Sequence, residues 1–235
     1  MDIHAIETGP LRVKTYVVTL QEHHAFVVDP AACAFSGDQA AVTSYLAEHS
    51  LALEAIVLTH GHFDHVAGLA PLAAAHPAVP ILIHKADAAY IGAQSKFQQQ
   101  KTLLPIGFGE FVPSVSNLPE ATAFLNDKST LLSCLDSCNA EAVPAVLDAF
   151  AEWQVIHTPG HTNGSCCLYH AANHVLISGD TVFFHSCGRT DLPDGNESFL
   201  QKSLKRLYAE LPGTTRVFPG HDRFDFALSE NYGQC

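Results

Sequence analysis

Basic residues are scarce in this chain. Lysine and arginine number 12 in 235 residues against 24 aspartates and glutamates, which gives a formal charge of -12. Nucleic acids and anionic membranes are gripped by clustered lysine and arginine, so neither is expected as a partner. Long apolar runs are missing too, and none approaches the roughly 20 residues of a membrane span. The opening Met-Asp-Ile-His-Ala-Ile-Glu has neither a basic start nor an apolar signal core, and the default expectation is a cytoplasmic protein. No two cysteines stand in a C-x-x-C pair. The seven present (Cys33, Cys134, Cys138, Cys166, Cys167, Cys187 and Cys235) are odd in number, and a chain this long needs no disulfide framework. Free, buried thiols are expected, with Cys166 and Cys167 on opposite faces of one strand.

Histidine, by contrast, is plentiful, and its 15 residues fall in short motifs. Thr59 to His65 reads Thr-His-Gly-His-Phe-Asp-His, and four of its residues, His60, His62, Asp64 and His65, can bind a metal. An apolar run at 55–58 precedes it, short enough for a buried strand. Val66, Leu69, Ala70 and Ala73 follow at helical spacing. The motif therefore leaves a core strand and enters a helix, where open α/β sheets bind ligands. Imidazole nitrogen and carboxylate oxygen suit zinc and iron better than calcium or magnesium.

The remaining pattern is one of short elements. Residues 13–20 and 25–29 are rich in β-branched and aromatic side chains and predict two strands joined by a hairpin. Ser36 and Gln39 have the spacing of a capping box, ahead of a helix presenting Val42, Tyr45, Leu46 and His49 on one face. A strand is expected at 79–83, and a short helix at 85–91. The rest of 85–150 reads as a long irregular excursion, of the kind that is either functional or disordered. Its apolar residues, Phe97, Leu103, Leu104, Ile106, Phe108 and Phe111 among them, argue that it packs across something. Strands are then expected at 153–157, 165–169, 174–178 and 215–218. A helix carrying Leu200, Leu204, Leu207, Tyr208 and Leu211 precedes the last of them.

Three further motifs end strands with a ligand: Thr158-Pro-Gly-His161, Ser178-Gly-Asp180 and Pro219-Gly-His221. Each has a glycine just before the ligand, which lets the backbone approach closely. Alone, His161 or His221 is an ordinary turn histidine and Asp180 a capping residue; four motifs in series point to a metal site.

These motifs, in this order and spacing, resemble the metallo-β-lactamase superfamily over nearly the whole chain. The resemblance implies one domain spanning 1–235, with a four-layer αββα sandwich of two mixed sheets flanked by helices. It implies two divalent metals, zinc first and iron as the alternative. His60, His62 and His161 would hold one, Asp64, His65 and His221 the other, and Asp180 would bridge them. A metal-bridging hydroxide would then attack a thioester or ester carbonyl, with Asp64 and Asp180 as the catalytic carboxylates. Thr59 and Asp222 are candidates for fixing histidine tautomers.

Aspartate at 180 points to the glyoxalase II-like branch, whose substrates are hydroxyacylglutathione thioesters. A small-molecule thioester or ester is therefore the expected partner, a glutathione-derived one first. Oligomeric state stays open. In that branch a basic residue matching Arg189, within Ser186-Cys-Gly-Arg189-Thr-Asp, contacts a glutathione carboxylate. Arg189 could equally pair with Asp191 or Asp194. The chain runs 14 residues past His221, which likens it to the short, single-domain hydrolases of the branch. Two rivals share the fold. One is a persulfide dioxygenase with a single iron on His60, His161 and Asp180; the other is a β-lactamase-like or lactonase-like hydrolase. Cys187, seven residues after Asp180, could pack inertly or lie near the metals.

Overall fold

The computed structural model describes residues 2–21, 23–136 and 146–235. Cys138, and Glu22 in the expected hairpin turn, lie outside them. The first sheet takes its strands in chain order: β1 (Asp2–Thr8), β2 (Val13–Gln21), β3 (His24–Val28), β4 (Ala52–Val57), β5 (Ile81–His84) and β6 (Ala123–Leu125). The first three are antiparallel, and β3 to β6 are parallel. Parallel neighbours need crossovers. Helix α1 (Ala41–Glu48) carries the chain from β3 to β4, and α2 (Phe63–Val66) with α3 (Leu69–Ala75) from β4 to β5. Helix α4 (Ser95–Leu103) lies between β5 and β6, and α5 (Leu131–Leu135) and α6 (Leu147–Ala151) follow.

The second sheet uses β7 (Trp153–His157), β8 (Cys166–His170) and β9 (Val175–Gly179). A small hairpin, β10 (Val182–Phe183) and β11 (Ser186–Cys187), and helix α7 (Glu197–Glu210) come before its last strands, β12 (Arg216–Pro219) and β13 (Phe226–Ala227). The order is β13-β12-β9-β8-β7, with β9 and β12 parallel and the other pairs antiparallel.

Side-chain alternation sorts the core into three layers. Tyr16 and Val18 of β2 face the second sheet, while Val17 faces the helices α1 and α3. Phe26, Val57, Trp153, Leu168 and Ile177 fill the space between the sheets. Cys167 and Leu176 point outward to Leu200, Leu204 and Leu207 of α7. Cys166 and Cys167 thus face opposite layers. The arrangement is the expected αββα sandwich of two mixed sheets. Strands covered on both faces read as unbroken apolar runs, as 55–58 does.

Several local expectations give way to tertiary contacts. The single helix expected from Val66 is split in two at Gly68, whose N–H donates to Pro30 O. A Cβ there would strike the backbone of Ala32 and Pro30. The Ser36 capping box does not form, and α1 starts after Ala40 without a side-chain cap. Ser36 Oγ instead donates to Asp38 Oδ1, which also takes Cys33 N–H. Residues 85–150 are irregular only in part where they are described, at 116–122 and 126–129. They form 3-10 turns at Lys85–Tyr90, Gly92–Gln94, Leu104–Ile106 and Gly109–Val115, together with α4, α5, α6 and β6. Strand β1 was not anticipated.

Phe26 is fully buried between the sheets, edge-on to Trp153 at 5.3 Å and against Phe150 at 5.8 Å. Phe26→Ala is expected to cost about 3–5 kcal/mol, read as a lower urea midpoint with an unchanged denaturant slope.

Candidate metal centre

Strands β7, β9 and β12 run in the same direction, because β7 and β9 are each antiparallel to β8 and β12 is parallel to β9. Their carboxyl ends therefore open at one edge. His161 follows β7, Asp180 follows β9 and His221 follows β12. In the first sheet His60 and His62 follow β4, and Asp64 and His65 lie in α2. The structure brings all seven expected ligands together.

They form two groups. His60, His62 and His161 offer nitrogens within 4.8 Å of one another, as do the ligand atoms of Asp64, His65 and His221. Asp180 stands between the groups. Its Oδ1 lies 3.3 Å from His65 Nε2, and its Oδ2 lies 3.5 Å from His161 Nε2 and 3.6 Å from His221 Nε2. Asp64 Oδ2 is 3.3 Å from His221 Nε2. His62 turns Nδ1 to within 2.8 Å of His161 Nε2.

The cluster fits cations. His60 Nε2, His65 Nε2 and Asp180 Oδ1 are buried without a hydrogen-bond partner among the described residues. A buried polar atom left unpaired costs about 1–3 kcal/mol, and a shared cation removes that cost. Burial, reinforced by neighbouring histidines, holds His60 well below the ordinary imidazole range and His62 down at about 3. Those rings are neutral and present lone pairs. Burial also opposes charge on His65, but Asp180, Asp64 and Asp29 together override it and hold the ring well above its usual value. For Asp180 burial works upward, and His65, His221 and His161 outweigh it, so the carboxyl stays well below its ordinary range. Imidazole and carboxylate donors of this kind suit zinc or iron.

Residues behind the ligands fix their orientation. Asp29 accepts Thr59 N–H at 2.7 Å, Thr59 Oγ1 at 2.6 Å and His65 Nδ1 at 2.9 Å. That bond leaves His65 Nε2 facing the cluster. Thr59 Oγ1 lies 3.1 Å from His60 Nδ1, and His161 Nδ1 donates to Arg189 O at 2.8 Å. Asp222, the other expected holder, lines the pocket instead. Asp29 was overlooked as a residue that merely ends a strand. Its left-handed backbone, φ 51°, leaves no trace in the sequence.

Asp87 was overlooked as well. Fully buried, it accepts Gly61 N–H at 2.9 Å, Thr162 Oγ1 at 2.7 Å and Gly164 N–H at 2.7 Å. One carboxylate thereby ties the His60–His62 loop to the His161 loop. Burial pushes it up to about 6 even though three donors pull the other way. Gln99 of α4 holds the far side of the same loop by donating to Gly61 O at 2.8 Å. The glycines before the ligands allow the close approach. A Cβ at Gly220 would collide with Asp180 Oδ1 and His65, and one at Gly160, φ 145°, with the backbone of Leu200.

A pocket of about 350 Å³ opens on the cluster, lined by His62, Asp64, His161, Asp180 and His221 and by Phe63, Ile106, Phe108, Phe183 and Leu192. Arg189 and Cys187 are at its edge. The Arg189 guanidinium is paired two-pronged with Asp191, both bonds at 2.7 Å. Of the two alternatives read from the sequence, this is the pairing within the chain.

Asp87→Asn turns an amide N–H₂ toward one of the three donors. The expected outcome is a loss of about 1–3 kcal/mol of stability and a 10–100-fold weaker metal affinity. Thermal melting and chelator competition measure the two separately. Gly220→Ala is expected to lower bound metal, read by elemental analysis, because its methyl group points into the ligands.

Comparison with known proteins agrees with this geometry. Residues 8–135 and 140–221 match the sequence profile of the metallo-beta-lactamase superfamily. The chain is 33% identical over 222 residues to an uncharacterized protein of Aquifex aeolicus (strain VF5), covering 94% of this chain and 90% of that one. It is 30% identical to the hydroxyacylglutathione hydrolase of Ectopseudomonas mendocina (strain ymp), over 92% of this chain and 65% of that enzyme's length. It is 26% identical to the probable metallo-hydrolase YqgX of Bacillus subtilis (strain 168), over 94% and 90%. Among solved structures, TTHA1623 in a di-iron-bound form superposes with a TM-score of 0.76 at 27% identity, over 98% of each chain. BLEG-1 B3 metallo-beta-lactamase superposes with a TM-score of 0.77 at 24% identity, over 97% and 95%, a likeness of fold. Ligand motifs, layer order and sequence profile agree, and the chain belongs to the metallo-β-lactamase superfamily.

Proposed function

We propose that the chain is a metal-dependent hydrolase of small thioesters or esters, working in the manner of the hydroxyacylglutathione hydrolases it is similar to. The observation that carries this reading is the pair of buried ligand groups joined by Asp180 at the floor of a pocket. His60, His62 and His161 would hold one cation, Asp64, His65 and His221 the second, and Asp180 both. Bound there, the metals supply a Lewis acid for the carbonyl and lower the pKa of water toward about 7.

The chain's own residues do the rest. Asp64 Oδ2, set beside His221, accepts a hydrogen bond from the attacking water and orients it. Asp29, Thr59 and Arg189 O lock the histidine rings, so no reorganisation is needed as charge develops. No serine or cysteine nucleophile is required. Zinc is the first metal proposed; the di-iron form of TTHA1623 supports iron as the alternative. A persulfide dioxygenase would need only His60, His161 and Asp180. The second ligand group, complete though less buried at His221, supports the binuclear hydrolase over it.

Elemental analysis of the purified protein is expected to give close to two zinc, or mixed zinc and iron, per chain. His62→Ala is expected to lose roughly one of them together with thioester hydrolysis. One iron per chain, with oxygen consumed on a persulfide, would overturn the proposal.

A further inference from the structure

The candidate ligands occupy the floor of the pocket, and much of its wall is apolar. Phe63 stands at the start of α2, Ile106 and Phe108 come from the turns after α4, and Phe183 and Leu192 close the other side. The aromatic wall is braced from behind. Phe111 stacks on Phe63 at 5.1 Å and meets Phe108 edge-on at 5.6 Å, and Phe63 and Phe108 meet each other at 6.0 Å. Such a surface is preformed and keeps its shape when a ligand arrives.

Cationic groups are nearly missing from the same walls. Of the 12 lysines and arginines, Arg189 alone lines the pocket, and its Nε–Nη2 fork is taken by Asp191. Carboxylate recognition favours a free, two-pronged arginine, and the Nε–Nη2 fork of the one arginine here is already engaged.

We infer that the substrate lays an uncharged, apolar acyl chain against Phe63, Ile106, Phe108, Phe183 and Leu192, and that a carboxylate-bearing thiol such as glutathione is not what the pocket selects. This inference rests on the hydrolase reading above and narrows its substrate class. The burial of each added methylene should raise kcat/KM roughly threefold, until the pocket's 350 Å³ is filled.

The test uses the metal-loaded protein and straight-chain acyl thioesters, acetyl to octanoyl, of a neutral thiol, beside the same acyl groups on glutathione. The expected result is a kcat/KM that climbs with chain length and gains little from glutathione. The octanoyl-to-acetyl ratio should fall in Phe108→Ser and in Ile106→Ser, two partly exposed positions that do not carry the fold. A flat profile would overturn the inference, as would a glutathione preference that disappears in Arg189→Ala. A second reading separates this from the hydrolase proposal: equilibrium binding of non-hydrolysable S-octyl and S-carboxymethyl thioethers of the neutral thiol. If no thioester or ester is cleaved by protein carrying two metals, the hydrolase proposal fails. Even then, tighter S-octyl binding that weakens in Phe108→Ser would uphold the apolar wall, and equal binding of the two probes would overturn it.

Discussion

Seven candidate ligand side chains share one space, and among the described residues several of their inward-facing atoms find no hydrogen-bond partner. His60 Nε2, His65 Nε2 and Asp180 Oδ1 point at one another's neighbourhood without a hydrogen bond. That is a costly arrangement in a low dielectric, and a bound cation would remove the cost. Much else in the structure follows from this demand. Strands β4, β7, β9 and β12 must deliver their ends to the same edge. Glycines must stand before His161, Asp180 and His221, because a side chain at Gly220 would occupy ligand space. Charge must be balanced through the cluster, and Asp180, Asp64 and Asp29 hold the buried His65 ring well above its usual value against the pull of burial.

Orientation is the second requirement. A histidine binds metal through one nitrogen, and the other must be occupied to choose the tautomer. Three different elements do this: Asp29 at the end of β3, Thr59 at the end of β4, and the carbonyl of Arg189. Asp87 and Gln99 act one step further out by gripping the peptide groups of the loops themselves. Both come from the segment between β5 and β6, which also carries Ile106 and Phe108. The stretch that shapes the substrate wall is thus the stretch that holds the His60–His62 loop in register, and substitutions in one will be felt by the other.

The ligands were legible in the sequence because each is announced within a few residues: a strand, a glycine, a histidine or aspartate. Strands buried on both faces and the leucine stripe of α7 were legible for the same local reason. What failed depends on contacts far away in sequence. Helix α4 reads Ser-Lys-Phe-Gln-Gln-Gln-Lys-Thr-Leu and buries Ser95, Gln99 and Thr102, so it has no apolar face to detect. Gly68 breaks a helix only because Pro30 and Ala32 lie against it. Asp38 draws Ser36 away from its cap. Asp29 and Asp87 look like strand-ending and surface residues until their partners, 26 or more positions away, are in place.

Two cations in a cradle of histidines and carboxylates offer the same chemistry to any carbonyl brought to them, so the fold alone cannot select a substrate. Selection has to reside in what surrounds the cradle. Here that is an aromatic and aliphatic wall on one side and, on the other, an arginine already satisfied by its neighbour two residues on. For a carboxylate to take the Nε–Nη2 fork of Arg189 it must displace Asp191, an exposed pair whose own worth is small, while gaining a contact of the same kind. The exchange is close to neutral and yields little affinity. An apolar chain displaces only water from the wall, and its gain grows with every methylene buried. On the proposed hydrolase reading, the balance between these two terms, set by side chains outside the candidate ligand motifs, decides which substrates the centre takes.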